Sequence, residues 1–393
     1  MNTYSASATA TQVAIIGGGP AGCCCAIRLI QQGIDDVVII ESSDYQQFRI
    51  GESIPPQTKQ LFHQLEIWSA FVKQQHQPCY GSRSWWGDNR NGFNDSLLSP
   101  YGHGWHLDRQ KFNRFLAKQA QSAGVTLLTQ CQFKTGRIIN DKHYHLTLDR
   151  QGAEHQLNAK FVVDASGARA SFAQTQGSKK QSNHALVSLG RRFIITDKHY
   201  PLSQQTHLEA VENGWWYAAR LPNDRVLISL TTDPQTAKTL KLHETNNWLD
   251  ILVNSPNTKA LLQGVTPEDT QPKRYPASSF CLNPATGKNW LAIGDAACTF
   301  DPITSGGIIK AMADGVTCAD IIAGIFKTSG HDTHHGLMQY QQMLTQRYQH
   351  YLAMRAHYYQ QEKRFLNSPF WQKMQAMSPH KIHSEMELQA NLT

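Results

Sequence analysis

The first strong pattern along the chain is an apolar run, a glycine cluster, an apolar stripe at helical spacing and a second apolar run. It lies in QVAIIGGGPAGCCCAIRLIQQGIDDVVIIES. The order predicts a strand over Val13 to Ile16, a helix over about Ala21 to Gln32 and a strand over Val37 to Glu41, a βαβ unit. Further on, GWHLDRQKFNRFLAKQAQSAGV (104–125) places Phe112, Phe115 and Leu116 on one helical face, and FVVDASGARASF (161–172) reads as a strand and turn. HALVSLGRRFIIT and GWWYAARLPNDRVLISLTTD read as β-strands between polar turns, followed by a helix in TLKLHETNNWLDILVNS. KNWLAIGDAACTFDPITSGGIIKAMADG (288–315) is an apolar strand, a Gly-Asp turn, a loop with proline and paired glycines, then a helix. After about 331 the chain is helical, with Leu337, Tyr340, Leu344, Tyr348, Tyr351 and Leu352 at helical spacing. The stretch from about His380 is polar and expected to fray. No internal repeat or linker divides the chain.

Composition narrows the class. With 393 residues, 40% hydrophobic and 17% charged, the chain can build two or three packed units. The net charge of +7 comes from scattered Lys and Arg, which argues against a nucleic-acid partner. The eight cysteines (Cys23, Cys24, Cys25, Cys79, Cys131, Cys281, Cys298 and Cys318) show no metal-ligand spacing, so they read as reduced, buried thiols of a cytoplasmic protein without a metal site. The first eleven residues lack the pattern of a signal peptide, and no span of about 20 apolar residues suggests a membrane helix. Arg191, Arg192 and the numerous histidines are expected on solvated surfaces, with His103 and His106 structural.

Gly17, Gly19 and Gly22 stand on the G-x-G-x-x-G spacing. The first allows a tight turn, the second lets backbone approach a pyrophosphate, and the third lets helix and strand pack closely. The helix start offers free N–H groups to phosphate. Glu41 ends the second strand, where a carboxylate can accept bonds from ribose hydroxyls. These features alone do not separate NAD from FAD.

The 288–315 stretch does so through a resemblance. A Gly294-Asp295 turn and a Pro302 to Gly307 loop so far downstream resemble the FAD proteins of the hydroxylase and halogenase superfamily. That resemblance implies that Asp295 holds the ribitol, that Pro302, Gly306 and Gly307 pass the isoalloxazine, and that the following helix start faces it. His106 to Arg109, Asp164 with Gly167, RIGESIPP (49–56) and YYQQEKRFLNSPFWQKM (358–374) resemble the branch containing tryptophan halogenases. It implies Arg109, Asp164 and Gly167 near the cofactor. The implied fold is α/β: a Rossmann-like FAD-binding domain of the glutathione-reductase/hydroxylase type (12–80, 101–175 and 273–330), interleaved with a β-sheet substrate domain (81–100 and 176–272), and a helical C-terminal region (331–393).

Halogenating machinery is only partly present. The family's Glu-Pro-x-Glu-Ser-Thr-Gly loop is matched by Asp301, Pro302, Ile303, Thr304, Ser305, Gly306 and Gly307, with Thr304 where the second carboxylate stands. The family's lysine has no counterpart in CYGSRSWWG (79–87), which offers Arg83, a poor nucleophile that stays protonated. The Trp-x-Trp-x-Ile-Pro signature is echoed by Trp215, Trp216, Leu221 and Pro222. Adjacent strand residues point to opposite faces, so at most one of the two tryptophans faces a site. These departures resemble the flavoproteins that mature lysine oxidase and glycine oxidase, enzymes with cysteine tryptophylquinone. The resemblance implies an FAD-dependent monooxygenase that hydroxylates a tryptophan in a quinoprotein oxidase precursor, using O₂ and either NAD(P)H or a separate flavin reductase. Arg83, Trp215, Trp216 and Thr304 are its candidate substrate contacts, and no catalytic acid or base is named. The alternatives are a halogenase of an indole substrate, an isoprenoid-type flavin reductase and a non-catalytic flavoprotein chaperone.

Overall fold

The computed structural model describes residues 9–96, 99–140, 142–182, 185–328 and 333–376. The chain opens with strand β1 (Thr9–Ile16), helix α1 (Pro20–Gln31) and strand β2 (Val37–Ile40), paired in parallel with Val13 beside Val37 and Ile16 beside Ile40. Proline at the first helical position suits α1 because that N–H has no intrahelical acceptor. Helix α2 (Arg109–Ser122) is capped by the Asp108 carboxylate, which accepts from the Lys111 N–H, and it buries Phe112, Phe115 and Leu116. Strand β3 (Ala153–Asp164) lies on the other side of β1, also parallel. The eight-stranded sheet runs Thr286–Gly287, Trp290–Ala292, β3, β1, β2, Thr126–Leu128, with the hairpin Cys131–Ile139 and His143–Arg150 extending from β3. Apolar runs buried on both faces are what a helix-covered parallel sheet requires. The architecture is thus the expected α/β, Rossmann-like one with an interleaved β-sheet domain and a helical C-terminal part.

A second eight-stranded sheet is built mainly from β4 (Val187–Ile195), β5 (Thr206–Val211), β6 (Gly214–Leu221) and β7 (Arg225–Thr232), in the order β4, β7, β6, β5, followed by Gly81–Trp85 and Gly92–Asp95. Lys273–Pro276 also pairs with β4, so this sheet runs just past the expected boundary at 272. Helix α3 (Gly307–Lys327) packs along α1, with Gly315 so close to Ala21 and Cys25 that a Cβ there would strike their backbone. Helix α4 (Thr333–Gln361) buries the stripe Leu337, Tyr340, Leu344, Tyr348, Tyr351 and Leu352, as its spacing predicts. Helix α5 (Pro369–Gln375) sends Phe370, Trp371 and Met374 under β6 beside Trp215 and Tyr359. The stretch from His380 lies outside the described residues.

Three expectations are corrected. Cys281 and Cys298 form a disulfide rather than standing as free thiols; they are directly opposed across antiparallel strands, with Cα atoms 4.3 Å apart. The other six cysteines are free and buried. Arg191 is buried, not solvated, because its guanidinium lies over Phe193 and Trp248 and donates to the Asp269 carbonyl; Arg192 pairs with the Asp269 carboxylate at 2.9 Å. His76 and His207 are likewise buried, while His106 is the structural group expected, buried with its ring bonded to the Arg220 carbonyl and Thr206 Oγ1. Among the described residues no helix is long and apolar enough to cross a membrane, and no cluster of His, Cys, Asp and Glu is arranged to hold a metal.

Candidate active site

The glycine turn after β1 is shaped by three different demands. Gly17 has φ +111°, and a Cβ there would run into the Ala165 carbonyl oxygen, so the turn lies flat against the end of β3. A Cβ at Gly22 would strike the Gly17 carbonyl oxygen, which lets α1 sit hard on the turn. Gly19 instead faces open space. That space belongs to a cleft bounded by the turn, Glu41 to Ser43, Tyr45, Arg109, Ala165 to Gly167 and Asp295. The α1 start carries no side-chain cap, so its first N–H groups point into the cleft unsatisfied. The Glu41 carboxylate accepts from the Gly18 N–H at 2.7 Å and the Ser43 N–H at 2.8 Å, fixing the cleft's rim.

A second cleft adjoins the first, sharing Pro20, Arg109, Asp295 and Ala311 in its wall. The loop Thr299 to Ile308 forms one side; Trp215 and Tyr217 of β6 and Leu227, Ser229 and Thr231 of β7 form the other. The two clefts make one bent groove, polar at the glycine turn and partly apolar beneath the second sheet. Asp295 stands at the junction with its side chain 49% exposed. Its turn is held from behind, where the Gly294 N–H donates to Asp314, itself paired with Arg347 at 2.6 Å. Helix α3 begins at this groove with glycine at its cap and first position, so its free N–H groups face the cavity.

The loop is anchored by a buried network. Asp301 pairs with Arg355 at 3.0 Å and accepts from the Tyr359 hydroxyl at 2.8 Å, while its own N–H donates to the Tyr351 hydroxyl. Trp215 Nε1 donates to the same Tyr359 hydroxyl. The first loop carboxylate is therefore committed to structure, and α4 ties together the loop and the facing strand.

Most sequence-predicted residues converge here. Gly17, Gly19, Glu41, Gly167, Arg109 and Asp295 line the first cleft, and Arg109, Asp295, Pro302, Gly306, Gly307 and Trp215 line the second. Gly22, Asp164 and Gly294 stand behind the walls. The Asp164 carboxylate takes bonds from the N–H groups of Ser166, Phe172 and Ala173, organising the turn rather than facing the groove. Trp216 points to the opposite face, against Trp248, and donates to Ser255, as strand alternation requires. Arg83 lies away from the groove between Trp85 and Phe93. Thr304 belongs to the backbone turn Pro302–Thr304, and its side chain is outside the described residues.

Two groups were missed. Glu52, in the RIGESIPP stretch, is buried in the second cleft wall, and Tyr217 contacts it from β6. Burial pushes the Glu52 carboxyl up to about 7, against the opposing pull of Arg109, nearby backbone N–H groups and the Tyr217 hydroxyl. Arg109 is lowered to about 10 by burial, offset by Glu52. Tyr217 is raised by burial and by the Glu52 charge. Tyr217 was detectable in principle: it is two positions from Trp215 on one strand, hence on the same face.

A family model for tryptophan halogenase matches residues 12–93 and 87–392. The chain belongs to the tryptophan halogenase family. Among curated relatives, the FAD-dependent oxidoreductase LodB of Marinomonas mediterranea is 28% identical over 93% of this chain and 96% of its own. A 1H-pyrrole-2-carbonyl-[peptidyl-carrier protein] brominase of Pseudoalteromonas luteoviolacea is 26% identical over 79% of this chain and 76% of its own. Of solved structures, the flavin-dependent halogenase CmlS matches with TM-score 0.85 and 22% identity, over 96% of this chain and 70% of its own. The peptidyl tryptophan dihydroxylase QhpG matches with TM-score 0.72 and 20% identity, over 93% and 79%. Both structures share the fold. As a member of this family the protein is an FAD-dependent enzyme of the halogenase and oxygenase superfamily, and FAD is its cofactor.

Proposed function

We propose that this family member uses FAD and O₂ to insert oxygen into the indole ring of a tryptophan carried by a partner polypeptide, the precursor of a quinoprotein oxidase. The observation that carries this reading is the lining of the second cleft: among the described residues it contains the carboxylates of Glu52, Asp295 and Asp301, a phenol and an indole but no lysine, and the first loop carboxylate, Asp301, is locked to Arg355. A lysine relay for hypohalite has no place in such a wall. The fold shared with a peptidyl tryptophan dihydroxylase supports a polypeptide substrate.

Halogenation is the second reading, and by weight of relatives it has more support than hydroxylation. The pyrrole-carrier brominase, a tryptophan 2-halogenase of Chondromyces crocatus and fungal halogenases are all similar to this chain.

In either case the same residues would hold FAD. Gly17, Gly19 and the α1 start would take the pyrophosphate, Glu41 the ribose, Asp295 the ribitol, and the α3 start with Pro302, Gly306 and Gly307 the ring system. Bound there, the flavin supplies two electrons to O₂ and so delivers the oxidising equivalent. The chain itself orients the indole against Trp215, excludes water beneath the second sheet and handles the released proton. The reductant, NAD(P)H or a separate reductase, belongs to the proposal too.

The test is to co-express the protein with a candidate oxidase precursor in medium with and without bromide and weigh the tryptophan peptide. Oxygen added only when this protein is present supports hydroxylation; bromine added at the same residue overturns it in favour of the second reading.

A further inference from the structure

We infer that Glu52 is the proton acceptor of the substrate cavity, taking the hydrogen that leaves the indole carbon, with Tyr217 as its partner. This rests on the proposed aromatic oxidation and supplies the base that the sequence does not identify.

The carboxylate is placed from three sides. The Glu52 carbonyl accepts from the Leu107 N–H, which pins the residue at the start of the short strand Ser53–Ile54. Arg109 reaches across from α2 and donates to the carbonyls of Ile50 at 2.7 Å and Gly51 at 2.8 Å, so the turn at Gly51, with φ +91°, is clamped open toward the cavity. Tyr217 comes from β6, contacts the Glu52 carboxylate and sits 3.0 Å from Ser53 Oγ. Yet Oε1 of Glu52 has no hydrogen-bond partner, although the residue is 2% exposed. Tyr217 and the neighbouring backbone engage the carboxylate, but this one oxygen is left open to a group that enters the cavity.

Position separates Glu52 from the family's loop glutamate. The loop carries Thr304 at that place, and its remaining acid, Asp301, is bound to Arg355 and Tyr359. Glu52 enters the second cleft from outside that loop, on the segment before Ser53–Ile54 and in contact with Tyr217 of β6. An acid there supplies from the first domain what the loop lacks.

The step balances simply. Reduced FAD and O₂ provide the oxidant: one oxygen forms a bond to the ring carbon and the other leaves as water. The ring C–H bond then breaks, its electron pair restores the aromatic system, and the proton passes to the Glu52 carboxylate before release to solvent. A carboxyl titrating near neutrality suits this exchange, since it accepts readily and releases without penalty. The charged and titratable groups acting on it are Arg109 on α2, Tyr217 on β6 and Tyr275 on Lys273–Pro276, and Asp295 lines the same cleft.

The test compares wild type with Glu52→Gln, Glu52→Asp and Tyr217→Phe as FAD-loaded proteins, using a tryptophan substrate with and without ring deuterium. Flavin content and affinity, read by absorbance and fluorescence, confirm that each variant still binds FAD. Infrared difference spectra across pH 5 to 9 read the carboxyl directly. The expected results are a carbonyl band titrating near 7 that Glu52→Gln removes, a kcat loss of about 100-fold or more in that variant, and partial rescue by Glu52→Asp. A primary deuterium isotope effect on product formation should appear or grow in Glu52→Gln. If wild type oxidises the indole and Glu52→Gln does so at the same rate, pH profile and isotope effect, the inference is overturned while the function stands. If wild type consumes reductant and O₂ but never alters an indole, the function itself fails and the assigned role fails with it.

Discussion

At the residue scale, the glycine turn separates structural from ligand-facing demands. Gly17→Ala forces a side chain into φ +111° against the Ala165 carbonyl, so about 1–3 kcal/mol of stability should be lost, read as a lower Tm with or without FAD. Gly19→Val meets open space in the protein and fills the ligand's place. It should leave the Tm of FAD-free protein nearly unchanged and abolish flavin binding, measured by absorbance after purification. Loss of Tm without loss of FAD at Gly19 would overturn the assignment. Residue-level legibility followed the same division. Backbone-dictated positions such as Gly17 and Gly22 are written in local spacing, whereas Glu52 and Arg191 look like ordinary surface charges until partners from distant strands enclose them. Cys281 and Cys298 are likewise separated by 17 positions, and only antiparallel pairing opposes them.

At the element scale, α4 does more than cover a sheet. Its Arg355 and Tyr359 hold Asp301 in the flavin loop, and Tyr359 also receives the Trp215 indole N–H. Arg355→Met leaves a fully buried carboxylate without its counter-charge, which should cost about 3–5 kcal/mol and weaken FAD retention. Tyr359→Phe removes two hydrogen bonds but no charge and should cost about 1–3 kcal/mol. Urea denaturation, with a flavin titration of each variant, measures both effects. A larger loss in Tyr359→Phe than in Arg355→Met would contradict the role given to the ion pair. The periodicity of α4 was readable because one buried stripe repeats along its length. Its attachment to the loop was not, since Arg355 stands on the same buried face as the tyrosines and its partner comes 54 positions earlier.

For the whole molecule, buried titrations set the pH dependence of stability. His76, His106 and His207 are each lowered to about 4, by burial first, so the folded state resists protonation that the unfolded chain accepts near 6.5. Stability should therefore be full above pH 6.5 and fall progressively toward pH 4, by about 3 kcal/mol per histidine. Glu52 acts in the opposite sense. Its raised carboxyl favours the folded state below 4.5 and loses that contribution as pH rises through about 7, again by about 3 kcal/mol. Three histidines outweigh one glutamate, so wild-type stability should rise from pH 4 to 6.5. The glutamate appears only as the difference between wild type and Glu52→Gln. Chemical denaturation across this range checks both signs, and a wild-type optimum near pH 4.5 would contradict them.

We propose that this tryptophan halogenase family member places oxygen from O₂ on a tryptophan of a partner protein. The most direct test uses purified FAD-loaded protein, a reductant, the precursor and ¹⁸O₂ in halide-containing buffer, with the tryptophan peptide sequenced by mass spectrometry. The expected result is ¹⁸O on the indole ring, dependent on this protein and indifferent to halide. A halogen on that ring, or a peptide left unchanged while reductant and O₂ are consumed, would contradict it.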